Sequence, residues 1–324
     1  MTVLVSVVVL TRHRPRLLDR CLHALMAQDF EASQYEIVVA DDADDPVTKQ
    51  QVAGWRRRAH GLTEILYAPV WDAHGPAAAR NVGWRLSVGR VIAFTDDDTI
   101  PRRDWLTRGF ATIRGDIAAA AGRIHTPQLA GPRNHEIDED HLITGELVTA
   151  NCFVRRDILV AIGGFDERFT AASCEDFDLF FSVLEAKGKV VSSPSAVVIR
   201  LVQPARWGVR LRQQRKFLFD ALLYKKHPPL YRSFVCRASH RDYYTIVLAL
   251  MIAATAGTMD SIGVTSVASA VWFAGTASLC RRRLRMTAHR PADILEIAAT
   301  SILIPPLVVF WRLVGAIRFG ASVA

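Results

Sequence analysis

Over the first hundred residues, short apolar runs alternate with stretches of helical period. Val3 to Leu10, Tyr35 to Ala40, Thr63 to Tyr67 and Val91 to Thr95 read as buried strands, each a β-branched or apolar run with polar flanks. Between the first two, Leu17, Leu18, Cys21, Leu22, Leu25 and Met26 fall on one helical face, and Pro15 stands at the start where its missing N–H costs nothing. That stripe is core. Gly75 and Pro76 punctuate a loop, and the strong helix formers Ala77, Ala78 and Ala79 open the next helix. Asp104 is placed as the N-cap of a helix ending near Ile113. Strand and helix in alternation predict βαβ units and a mostly parallel sheet.

From Ile117 to about Leu201 the pattern is mixed and completes the same domain. It includes a polar loop around Gly131 to Asp140 and helices near Asp157 to Ile162 and Asp176 to Ala186. Val209 to Leu223 reads as one amphipathic helix lying on a membrane surface. Leu211, Phe217, Leu218, Leu222 and Leu223 share a side while Arg210, Arg212, Arg215 and Lys216 reach outward. Two apolar segments follow, Tyr243 to Met259 and Ile262 to Cys280, separated by Asp260 and Ser261, and they predict a tight helical hairpin of bilayer length. A third segment, Ile294 to Trp311, contains Pro305 and Pro306; a kinked span and a re-entrant element both satisfy it.

Composition supports a membrane reading. The 324 residues are 50% hydrophobic with a mean hydropathy of +0.16, rich for a soluble chain. Forty Lys and Arg against 32 Asp and Glu give a net charge of +8. The basic residues crowd from Arg206 to Arg241 and at Arg281, Arg282, Arg283 and Arg285, beside apolar runs. That placement favours an anionic membrane surface over nucleic acid, and the positive-inside rule puts both ends of the hairpin in the cytoplasm. The five cysteines, Cys21, Cys152, Cys174, Cys236 and Cys280, show neither a disulfide frame nor zinc spacing, so a reducing compartment is expected, with Cys21 and Cys152 as small apolar fillers. Val3 to Leu10 lacks the basic leader and cleavage site of a signal peptide.

Candidate chemistry sits beyond the strands. Asp41 and Asp42 follow the second, and Asp96, Asp97 and Asp98 the fourth, at the sheet edge where open α/β folds bind ligands. Two carboxylates completed by phosphate oxygens suit Mg²⁺ or Mn²⁺ holding a nucleoside diphosphate. A solvated acidic turn explains the triple Asp equally well. Arg80 on the first turns of its helix is placed to pair with phosphate or, more simply, to stand exposed. Glu175 and Asp176 open a helix, where the dipole favours acids; a carboxylate there is also a candidate general base, Asp176 before Glu175. The histidines show no metal spacing, and His74, beside the Gly75-Pro76 turn, carries no assignment.

Six blocks in order carry a resemblance: Val5 to Arg14, Glu36 to Asp42, Gly75 to Gly83, Ile92 to Leu106, Asn151 to Phe169 and Glu175 to Leu179. Together the sequence resembles the family 2 glycosyltransferases with the GT-A fold, of the membrane-anchored bacterial type. The resemblance implies an α/β class with a Rossmann-like, mostly parallel sheet, followed by C-terminal transmembrane helices. Its domains would be a GT-A catalytic domain over 1–205, a basic interfacial segment over 206–242 and a membrane region over 243–324. It implies an inverting displacement on a nucleotide-diphospho-sugar donor, with a divalent Mg or Mn cofactor, while the basic surface helix and the C-terminal spans suggest a lipid-linked or membrane-proximal acceptor. Thr11, Arg12 and Asp41 would hold the nucleotide base, and Arg80 would approach the diphosphate. Asp96 would meet ribose or metal, Asp98 the metal, and Asp176 would deprotonate the acceptor. Location would be the inner membrane, with the catalytic domain cytoplasmic and no nucleic acid partner.

Two departures stand out. Relatives often carry a His on the strand after the acidic pair, where this chain has Val198-Ile199-Arg200-Leu201, so Arg200 either weakens the metal site or meets phosphate itself. Gln203-Pro204-Ala205-Arg206-Trp207 matches the Q-x-x-R-W motif of processive polysaccharide synthases, but two or three apolar spans are few for threading a polymer. A catalytically inactive nucleotide-sugar binder is the competing class. Transport is disfavoured, since the hairpin lacks polar groups beyond small hydroxyls.

Overall fold

The computed structural model describes residues 2–71, 75–127, 147–172, 174–201, 207–235, 241–285 and 291–321. The predicted loop at Gly131 to Asp140, His74 and residues 203–206 of the Q-x-x-R-W motif lie outside them. Contacts divide the chain into one compact unit of residues 1–127 and 142–202 and another of residues 128–141 and 203–324.

The first unit is built on an eight-stranded sheet. In chain order its strands are β1 (Val5–Thr11), β2 (Tyr35–Asp41), β3 (Glu64–Pro69), β4 (Val91–Asp96), β5 (Thr99–Pro101), β6 (Ile117–His125), β7 (Asn151–Arg155) and β8 (Lys189–Arg200). Spatially they run β3-β2-β1-β4-β7-β6-β8-β5. The half β3-β2-β1-β4 is wholly parallel. β7 then runs antiparallel to both β4 and β6, β6 and β8 are parallel, and the short β5 is antiparallel to β8. The sheet is therefore mixed, and the mostly parallel expectation describes its first half.

The strands of the parallel half read as unbroken apolar runs because both faces are covered. Val5, Val7 and Val9 share one core with Leu18, Cys21, Leu22 and Leu25 of α1 (Pro15–Met26), Val52 and Trp55 of α2 (Pro46–Arg58), and Trp105 and Leu106 of α4 (Trp105–Thr112). Val8 points the other way, toward α3 (Pro76–Leu86), where a Cβ on Gly83 would come within 2.4 Å of the Val8 Cγ1, so only glycine lets this helix lie so close to the sheet. Pro15, Pro46 and Pro76 each open a helix at a position whose N–H has no intrahelical partner. Asp104 occupies the N-cap position of α4 without capping it, because its carboxylate is drawn to Arg108 at 3.2 Å. α5 (Arg156–Ile162) and α6 (Cys174–Glu185) complete the unit. Cys21 and Cys152 are fully buried, and burial raises both thiols far above their ordinary range, which fits the role of inert fillers.

In the second unit, the single amphipathic helix expected over Val209 to Leu223 is broken. A short α7 (Val209–Gln213) gives way to a 3₁₀ stretch, Gln214–Phe219, and then to α8 (Asp220–Lys226) and α9 (Pro228–Phe234). The tighter pitch rotates the faces, so Arg210, expected outside, is buried, while Arg212 and Arg215 are exposed. α10 (Arg241–Thr258) and α11 (Ile262–Leu284) pack as the predicted hairpin, turning at Asp260 in the left-handed region. α12 (Pro291–Phe319) runs unbroken through Pro305 and Pro306, so the third segment is one long helix rather than a re-entrant fold. Among the described residues two helices, Ile262–Leu284 and Asp293–Phe319, are long and apolar enough to cross a bilayer, and the first arm of the hairpin is not one of them. α12 also packs along the 3₁₀ stretch and α8, and there its buried Arg312 lies 3.4 Å from Asp220.

Candidate active site

The strand ends of the parallel half bring distant residues to one edge. In register, Leu10 stands beside Asp96 and Thr11 beside Asp41. After β4 the chain turns sharply, with Thr99 Oγ1 donating to the Asp96 carbonyl and the Asp97 amide to the Leu10 carbonyl. This turn separates the three consecutive aspartates. Asp97 points inward, accepting from Thr11 Oγ1 at 2.8 Å and from Arg14 at 3.2 Å. Asp96 and Asp98, each about one-fifth exposed, both face Arg200 of β8, whose guanidinium lies 3.9 Å from the first and 4.0 Å from the second.

Arg80 organises the other side. The expectation of an exposed helix arginine is overturned: its side chain is 5% exposed, giving one hydrogen bond of 3.1 Å to Asp96 Oδ1 and another of 3.1 Å to Glu175 Oε1. Its guanidinium also rests over the Phe165 ring. Burial works against the charge, yet Asp96, Asp176 and Glu175 together hold this arginine above its ordinary value. Glu175 and Asp176 enter at the start of α6. Asp176 accepts from Thr149 Oγ1 at 2.5 Å and remains partly exposed. Burial pushes its carboxyl up, opposed by Arg80 and Thr149. Glu175 is pushed up to about 8 by burial first and the Asp176 charge second. Asp98 is pushed up to about 6, again by burial and then by Asp96.

Four carboxylates and two arginines thus converge where the sequence reading placed Asp96, Asp98, Arg80, Glu175 and Asp176. The other three expected residues stand along the same edge with different tasks. Asp41 accepts from the amides of Ala43 and Asp45 and from the Tyr67 hydroxyl, so it shapes the turn after β2. Thr11 braces Asp97, and Arg12 pairs with Asp42 at 3.0 Å. The other oxygen of Asp42 accepts from the Gly75 amide at 2.7 Å. Gly75 has φ +113°, and a Cβ there would meet the Thr170 carbonyl at 2.8 Å, so glycine is required at the entry to the Arg80 helix. Thr149, Phe165 and Arg14 were missed, and nothing in their spacing singles them out.

The proton on Glu175 makes stability depend on pH. An unfolded glutamate releases its proton near 4.5 and the folded one near 8, so the folded chain binds more protons between those values. This contribution is complete below about 4.5 and is lost as pH rises toward 8. The unfolding midpoint of the full chain is expected to fall between about pH 5 and pH 8, and Glu175→Gln to flatten that slope. Thermal unfolding across the range checks this; equal slopes in the two proteins would remove the buried proton.

Asp96 and Asp98 offer hard oxygen ligands of the kind Mg²⁺ and Mn²⁺ take. Asp98 Oδ1 is buried and accepts no hydrogen bond, so the pair fits a divalent ion whose other ligands come from phosphate or water. Among the described residues no cluster of three His, Cys, Asp or Glu side chains is present.

Residues 6–165 match the family model described as Glycosyl transferase family 2. Succinoglycan biosynthesis protein ExoM of Rhizobium meliloti is 30% identical over 233 residues, covering 67% of this chain and 72% of that one. Glycosyltransferase AglE of Haloferax volcanii is 31% identical over 171 residues, 50% of this chain and 55% of its own. The pre-mycofactocin glycosyltransferase of Mycobacterium tuberculosis is 30% identical over 179 residues, and the match spans only 36% of its length. Among solved structures, the mannosyltransferase PcManGT from Pyrobaculum calidifontis, in complex with GDP-Man and Mn²⁺, superposes with a TM-score of 0.57 at 18% identity, over 96% of this chain and 84% of that one. S. aureus TarS 1–349 in complex with UDP-GlcNAc gives 0.52 at 15% identity, over 99% and 93%. These structural likenesses speak for the GT-A fold.

Proposed function

The chain belongs to glycosyl transferase family 2, and we propose that this glycosyltransferase moves a sugar, with inversion, from a nucleotide-diphospho-sugar to a membrane-proximal, lipid-linked or glycan acceptor. One observation supports the reading: Arg80 ties the acidic turn after β4 to the acidic start of α6, with Asp96, Glu175 and Asp176 all acting on its charge. Thr149 holds the Asp176 carboxylate through its hydroxyl and its backbone amide, and in this reading the carboxylate meets an acceptor hydroxyl. Asp176 takes the hydroxyl proton as the acceptor oxygen bonds to the anomeric carbon, and the bond to the diphosphate oxygen breaks on the opposite face. A carboxyl raised by burial is a stronger base than an ordinary aspartate at the same pH. Glu175, carrying a proton through neutral pH, leaves the Arg80 charge directed at Asp96 and at the donor. Thr11, Arg12 and Asp41 border the nucleotide base.

Asp98 and Asp96 would hold a divalent ion, Mg or Mn, whose charge would neutralise the departing diphosphate. Mn²⁺ accompanies the sugar nucleotide in the PcManGT complex, which supports that choice. Residues 1–205 form the catalytic domain, 206–242 an interfacial segment and 243–324 the membrane region. The two helices of bilayer length and the arginines at 281, 282, 283 and 285 support an inner-membrane location with the catalytic domain in the cytoplasm, against an anionic lipid surface. Membranes from cells expressing the full chain, incubated with labelled UDP-, GDP- and dTDP-sugars and Mn²⁺, test the proposal. Label is expected in a lipid or glycan from one donor class, and Asp98→Ala is expected to abolish it. Donor binding without transfer would replace this reading with that of an inactive binder.

A further inference from the structure

On the acidic turn, Asp96 Oδ2 and Asp98 Oδ1 accept no hydrogen bond from any described residue. They are the two that face Arg200, with its Nη2 3.9 Å from the first and its Nε 4.0 Å from the second. The remaining oxygens are addressed from other directions, Asp96 Oδ1 by Arg80 at 3.1 Å and Asp98 Oδ2 by Arg14 at 3.9 Å. The backbone of Arg200 is fixed to the same turn, since Arg200 pairs with Thr99 across β5 and β8 and the next amide, Leu201, donates to the Asp98 carbonyl at 2.7 Å. The guanidinium, 15% exposed, therefore stands across the gap that an ion bridging Asp96 and Asp98 would fill. At 3.9 and 4.0 Å it neutralises both carboxylates without hydrogen-bonding either. A divalent ion there would put two further positive charges next to a poorly solvated arginine, and that repulsion is strong where water is scarce.

We infer that Arg200 holds the place of the ion while no donor is bound, and turns onto the donor's diphosphate when donor and ion arrive together. The inference rests on the nucleotide-sugar reading above and adds an order of events. The protein alone is a poor ion binder, and the diphosphate lets the ion in by giving Arg200 somewhere else to go. A planar guanidinium matches two phosphate oxygens at once, which a lysine or a histidine at the same position would not do. Arg200 then acts as a positioning residue for ion entry and as a contact to the leaving group.

The test uses the purified full chain in detergent, with Mn²⁺ followed by electron paramagnetic resonance and UDP, GDP and dTDP binding followed by calorimetry in EDTA. In Arg200→Gln, Mn²⁺ alone is expected to bind about tenfold or more tightly than in the unaltered chain, and the preferred nucleoside diphosphate in EDTA about tenfold more weakly. Arg200→Lys is expected to recover part of the nucleotide affinity, as a point charge without the fork. Unchanged Mn²⁺ affinity in Arg200→Gln overturns the inference, as does unchanged nucleotide affinity in EDTA. If neither protein binds any of the three nucleotides with or without Mn²⁺, the donor reading itself fails.

Discussion

Asp176→Asn is expected to lower turnover by about a hundredfold to ten-thousandfold, the usual span for loss of a positioned general base. Donor binding should remain. The substitution keeps the shape of the side chain and its acceptor oxygen toward Thr149, which donates at 2.5 Å in the native site. It removes the capacity to accept a proton and, with it, the negative charge that Asp176 directs at Arg80. Arg80 keeps Asp96 and Glu175 at hydrogen-bonding distance, so the cluster should stay assembled. Single-turnover assays with the donor found by the panel, beside nucleotide binding, separate the two effects. Turnover within threefold or so of the unaltered enzyme would place the base elsewhere, with Glu175 next in line.

Arg80→Met should damage the fold itself. The arginine is 4% exposed and lies among Asp96, Glu175 and Asp176, so its loss strands the charges of Asp96 and Asp176 in a poorly solvated site. Removing one partner from a buried charge cluster costs about 3–5 kcal/mol. The expected result is a large drop in the unfolding midpoint, together with loss of transfer. Adding Asp96→Asn to Arg80→Met should return part of the stability, because the partner facing it no longer needs a cation. Chemical unfolding of the single and double variants measures this. An Arg80→Met protein as stable as the original would mean that the carboxylates are neutralised by some other group.

The parallel half of the sheet was legible because its strands are buried on both faces and read as β-branched runs between well-marked helix starts. The other half was not. β6 is built on Ala118 to Ala121, residues with high helix propensity that form a strand because both of its faces are crowded. At Gly122 an added Cβ would collide with Asn151, whose amide donates to the carbonyls of Arg123 and Ala196 and whose oxygen accepts from the Trp105 indole. That network joins β6, β7, β8 and α4, and no local pattern announces it. The 3₁₀ stretch at Gln214–Phe219 escaped for a similar reason: apolar spacing alone does not distinguish three residues per turn from 3.6 over so short a length.

At the site, the acidic residues were found from their place after strands and at a helix start, which composition and order reveal. Their pairing was hidden. That Arg80 is buried, and which of three adjacent aspartates faces the ligand, depends on β8 crossing next to β5 and on α6 returning to the sheet edge. Both are contacts across roughly a hundred residues or more of chain, outside the reach of any windowed reading.

Asp97 carries a consequence for anyone who alters this enzyme. It is the buttress between two working groups, locked to Thr11 and Arg14 while its neighbours on either side look outward. What matters in this stretch is spacing more than acidity. Dropping or adding a single residue there would exchange buttress and workers at a stroke, giving a chain with every acidic group present and none on the correct side. Libraries that vary its chemistry can therefore be read one substitution at a time, whereas libraries that vary its length cannot.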